Sequence, residues 1–198
     1  MTRTANHRFG WCIAIGLVAG MVASLVSCGH PERAQKLASL EQVLLQLDSA
    51  EFVYRSHPLD EGVRAKRVSD SLLQHVDMAL LGREVTREQA EPFNGLAQHR
   101  RLLKDQRARQ RRIGQELSRT RKQLTSLAEA IRTRAKVDAH GTPIDGPYLR
   151  KVLGDETLIA QHLIEEMAAT TELLERGLLG FDSLEAAVTS WLENDGLE

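Results

Sequence analysis

The segment YLRKVLGDETLIAQHLIEEMAATTELLERGLL, residues 148–179, sets Leu153, Thr157, Ala160, Ile164, Met167, Thr171, Leu174 and Leu178 at alternating spacings of four and three. That is the period of a helix burying one face. Leu149, Val152, Ile159, Leu163 and Leu173 flank the stripe and widen it, which suits a bundle better than the narrow seam of a two-stranded coiled coil. The spacing therefore predicts an all-α fold.

The same period extends upstream. From Pro31 to about Tyr54, Leu37, Leu40, Leu44 and Leu47 draw a first stripe, closed by Ser56, His57 and Pro58. A second helix follows to about Leu81 with Ala65, Val68, Leu72, Val76 and Ala79 on its face, and Gly82 stops it. The short link between the two predicts an antiparallel helical hairpin. Thr86 and Gln89 have the spacing of a capping box, opening a short turn of helix that Pro92, Asn94 and Gly95 are expected to interrupt or kink.

From Leu96 to about Val137 the chain has no proline and one glycine, Gly114. Its register runs through Leu96, His99, Leu103, Gln106, Gln110, Ile113, Leu117, Thr120, Leu124, Leu127 and Ile131, apolar at both ends and polar in the middle. Read as one helix it would reach roughly 60 Å. Gly141, Pro143, Gly146 and Pro147 turn the chain back, Gly180 ends the helix that opened this reading, and Asp182 or Ser183 would cap a last short helix through Leu184, Val188, Trp191 and Leu192. The whole is an elongated antiparallel bundle of helical hairpins with one long central helix.

Ahead of the bundle, Arg3 and Arg8 precede an uncharged apolar stretch from Phe9 to Val26, with no acid before Cys28. Such a stretch approaches the roughly 20 residues of a membrane-spanning helix, but Gly10, Gly16, Gly20 and Ser24 weaken that reading. Leu25, Val26 and Ser27 followed by Cys28 and Gly29 resemble the lipobox of bacterial lipoproteins. The resemblance covers residues 1–28 alone. It implies that residues 1–27 are a cleaved signal, that Cys28 carries a diacylglyceryl thioether and an acyl chain, that residues 28–31 are a tether, and that residues 32–198 are a single helical domain. Two or more acyl chains hold a protein on a membrane where one is marginal. Gly29, where an Asp would retain the protein at the inner membrane, implies the periplasmic face of the outer membrane. Cys12 leaves with the signal, so the mature chain has no thiol for a disulfide and its apolar core must hold it.

Charge is sharply divided along a chain whose net charge is −1. Arg100, Arg101, Lys104, Arg107, Arg109, Arg111, Arg112, Arg119, Arg121 and Lys122 stand against only Asp105 and Glu116. Beyond Val152 eleven acids face the single Arg176. Three readings follow. The basic stretch lies along the acidic fourth helix of the same molecule; or Arg100, Arg101, Lys104, Arg107, Arg109, Arg111 and Arg112 form a surface for an anionic partner, such as another envelope protein, lipid phosphate or an anionic envelope polymer; or they bind nucleic acid, which export argues against. Arginine outnumbers lysine in the stretch, and its planar fork suits carboxylate and phosphate.

Chemistry has less support. His30, His57, His75, His99, His140 and His162 show no metal-binding spacing, and His162 with Glu165 or Glu166 supplies too few ligands, so no metal or cofactor is expected. Nucleophile elbows and phosphate loops are lacking, and Glu165 and Glu166 diverge on a helix. Phe52, Tyr54, Phe181 and Trp191 read as packing residues. The expectation is a non-enzymatic, lipid-anchored envelope protein acting as a structural or docking module. A carrier holding an apolar or anionic ligand between Leu149 and Leu174 is the alternative, and a hydrolase assembled from scattered acids and histidines comes third.

Overall fold

A computed structural model describes residues 31–194; the lipobox residues Leu25, Val26, Ser27 and Cys28 lie outside them. Six helices follow in order: α1 (Pro31–Ser56), α2 (Leu59–Ala79), α3 (Arg87–Leu102), α4 (Gln106–Arg132), α5 (Gly146–Leu178) and α6 (Phe181–Asn194). The all-α class stands. Among the described residues, none of these helices is long and apolar enough to cross a membrane.

Two apolar cores are strung along α5. The first gathers Leu40, Val43 and Leu47 of α1, Ile113, Leu117, Leu124 and Ile131 of α4, and Leu149, Ala160, Leu163 and Met167 of α5. The second gathers Ala65 and Val76 of α2, Phe93 and Leu96 of α3, Leu174 at the far end of α5, and Phe181 and Val188 of α6. Burying each large aliphatic side chain contributes about 1.5–3 kcal/mol. The ion pairs between helices contribute at most about 1 kcal/mol each. Hydrophobic burial thus holds the helices together, and the charges select their register.

That register is legible in the pairs. Arg150 of α5 reaches Glu32 in the first turn of α1 at 3.4 Å, and His57 just past α1 lies 3.5 Å from Glu175 late in α5, so α1 and α5 run parallel. On α4, Arg132 pairs with Glu41 at 2.8 Å, Arg121 with Asp48 and Glu51 at 2.5 Å each, and Gln110 donates to the Leu59 carbonyl at 3.0 Å. Helix α4 is therefore antiparallel to both.

Three local expectations are corrected. The stretch Leu96–Val137 is not one helix: it breaks at Leu103–Asp105, where Asp105 adopts a left-handed φ of 59°. Leu103 explains the break, because it is fully buried in the second core beside the Gly177 backbone, turning the chain out of the line of α4. Pro92 does not interrupt its helix; α3 runs through it. A complete capping box fixes the start, with the Gln89 N–H donating to Thr86 Oγ1 and the Thr86 N–H to Gln89 Oε1. Phe93 stacks edge-on to Trp191 with ring centroids 4.8 Å apart, and this packing holds the turn that Pro92 weakens. Nor do α1 and α2 close as a hairpin: α1 packs on α4 and α5, whereas α2 packs chiefly on α3 and α6. The link at His57–Pro58 carries the chain from one core to the other.

Two glycines separate these effects. A Cβ at Gly177 would lie 2.6 Å from Leu103 Cδ2 and 2.7 Å from its Cγ, whereas one at Gly114 meets nothing within 4 Å. Gly177→Ala should destabilise the protein by about 1–2 kcal/mol through overpacking of the corner, and Gly114→Ala should stabilise it by about 0.5–1 kcal/mol. Urea unfolding of the two variants checks the opposite signs.

Candidate anion-binding cleft

The break between α3 and α4 exposes the start of a helix of 27 residues. Such a start presents N–H groups without intrahelical acceptors and a partial positive charge. Asp105 stands at the N-cap but gives no side-chain capping hydrogen bond, and the first turn of α4 holds no acid. The Gln106 N–H turns back to the Leu103 carbonyl at 3.3 Å. The amides of Arg107 and Ala108 are left without a cap.

Around this start lies a cleft of about 690 Å³ between α2, the end of α3 and the first turns of α4. Its lining brings together Lys66 and Arg67 from α2, Arg100 and Arg101 from α3, Lys104 from the corner, and Arg107 and Arg111 from α4. Only Asp70 and Asp105 oppose these seven cations. Arg107 and Arg111 stand one turn apart on the same face of α4, a spacing at which like charges repel.

Asp70 is already engaged. Lys66 Nζ pairs with its Oδ2, and Arg100 Nε donates to its Oδ1 at 2.8 Å. Partial burial would raise the Asp70 carboxyl, but the hydrogen bonds and charges of Lys66 and Arg100 override it and hold the group below its ordinary 3.8. Arg67, Arg101, Lys104, Arg107 and Arg111 have no carboxylate within ion-pair distance among the described residues.

Gln106 forms part of the floor. It is 2 % exposed, and both its side-chain nitrogen and its oxygen are enclosed without a hydrogen-bond partner. Gln110, one turn on, is satisfied by the Leu59 carbonyl. A leucine at position 106 would continue the apolar seam at no such cost.

Of the residues singled out from sequence, Arg100, Arg101, Lys104, Arg107 and Arg111 meet in the cleft, whereas Arg109 and Arg112 do not line it. Arg112 pairs with Glu166 of α5, its Nε donating at 3.0 Å, and Arg121 is taken by the acids of α1. Internal pairing and an outward basic surface thus divide one stretch between them. Lys66 and Arg67 belong to a different helix from the arginine-rich run, and the signal for them in the sequence is the run Arg64, Lys66, Arg67. His162 approaches Glu165 at 3.5 Å on an exposed face, and no group of three metal-ligating side chains converges among the described residues. Comparison with protein-family models, with curated proteins and with solved structures finds no match.

Two outcomes are expected. Gln106→Leu should raise stability by about 1–2 kcal/mol, since it removes an unpaired buried amide, as measured by chemical denaturation. Arg100→Gln tests the Asp70 pair. A carboxyl lowered in the folded state stabilises above its unfolded value and loses that contribution as pH falls through the lowered one. The variant should be less stable at pH 7 by under about 1 kcal/mol, and its deficit should shrink as pH falls below the ordinary carboxylate range; a deficit unchanged by that acidification would contradict the pairing.

Proposed function

We propose that the protein is a non-enzymatic lipoprotein of the bacterial envelope, tethered through lipid on Cys28, whose cleft between α2, α3 and α4 docks the anionic group of another envelope component. The observation that carries this reading is the convergence of seven cations from three helices and their corner on one concavity that holds two acids, one of them already paired. Their lining includes no histidine or thiol. What the cleft offers is positive charge and hydrogen-bond donors, which is the equipment of recognition.

The carrier alternative finds less support. Leu149, Ala160, Leu163, Met167 and Leu174 are packed into the two cores, and clefts of about 690, 550 and 400 Å³ all lie off α5. Placement relative to the tether also favours docking. Cys28 lies three residues before Pro31, the start of α1, which packs beside the end of α4. The cleft sits at the opposite end of α4, about 40 Å away. A protein standing on its lipid would hold the cleft out from the membrane.

Two measurements on full-length protein expressed in a bacterium test the proposal. Intact mass should show loss of residues 1–27 and gain of acyl chains on the wild type, with neither change in Cys28→Ser; an uncut, unmodified wild type would contradict the anchor. In-cell crosslinking should recover an anionic envelope component at least tenfold better with the wild type than with the triple variant Arg101→Gln, Arg107→Gln, Arg111→Gln, and equal recovery would remove the docking surface.

A further inference from the structure

Resting on that reading and naming its ligand class, we infer that the cleft is a phosphate-ester site, in which Arg67, Arg101, Arg107 and Arg111 take the phosphate oxygens beside the free start of α4. Two independent features point to one compact polyanion. The uncapped amides of Arg107 and Ala108 present parallel N–H donors at a helix start, the geometry that receives a tetrahedral oxyanion. Arg107 and Arg111, together with Arg67 and Arg101, supply planar forks without carboxylates among the described residues, and the cleft they line is small and concave, not a broad face.

An extended acidic polypeptide would be served by cations spread along a surface. Here the donors converge, and the backbone takes part. A single carboxylate would leave several of the seven cations unmatched, whereas a phosphate monoester carries close to two negative charges near neutral pH. The ligand is a phosphate ester, whether soluble or borne on a lipid headgroup.

The test uses the full-length, ¹⁵N-labelled protein in phosphatidylcholine nanodiscs. Glycerol 3-phosphate is the probe, titrated while backbone amides are followed. Binding should shift the amides of Arg107 and Ala108 most. It should weaken at least tenfold in Arg107→Gln with Arg111→Gln, and an unchanged affinity in that double variant would overturn the site. Poly-glutamate bound through the same arginines, with glycerol 3-phosphate ignored, would overturn the phosphate ester and leave the docking reading intact. Neither ligand binding would remove both. Shifts of Arg107 and Ala108 that appear only when phosphatidylglycerol is added to the nanodisc would assign the phosphate to a lipid headgroup, and shifts with glycerol 3-phosphate in phosphatidylcholine alone would assign it to a soluble ester.

Discussion

The left-handed conformation of Asp105, at the corner between α3 and α4, governs the molecule. It divides what periodicity alone would make one helix, and the division lets α3 pack with α2 and α6 while α4 packs with α1 and α5. A non-glycine residue there costs about 1–2 kcal/mol. Leu103 offsets that cost by burial against Leu174 and the Gly177 backbone. Without the break there would be one core instead of two, and no free helix start.

The same corner explains the polar middle of the apolar register. Gln106 interrupts the seam at the place where one core ends and the other begins, and its neighbours Lys104, Arg107 and Arg111 gather there because the chain changes direction beneath them. Charge is then apportioned by position. Cations further along α4, Arg112, Arg121 and Arg132, meet acids of α5 and α1 and set helix register. Those at the corner meet no such partner among the described residues and face the cleft.

The helices themselves were readable from residue spacing, because a 3.6-residue period follows directly from which face is buried. Leu40, Leu47, Leu96, Leu103, Ile113, Leu124, Met167 and Leu174 are all expected seam positions and all buried. Even Gln106 and Thr120, polar members of the register, are inside. The break was not legible, since Leu103, Lys104 and Asp105 include no glycine or proline and the apolar spacing continues across it. What stops the helix is a tertiary contact, Leu103 on Gly177, between residues far apart in the chain. Pro92 misled for the opposite reason: its local cost is outweighed by the capping box before it and the Phe93–Trp191 contact after it. Five of the seven cleft cations stand in the arginine-rich run, while Lys66 and Arg67 join them only because α2 lies against the corner.

The most direct test of this account is native-state hydrogen exchange across residues 96–124 of the full-length protein. A broken chain with an uncapped α4 predicts that the amides of Arg107 and Ala108 exchange orders of magnitude faster than those of Ile113–Leu124. Uniform protection through Leu103–Arg109 would show one continuous helix, and with it neither the corner nor the cleft would exist.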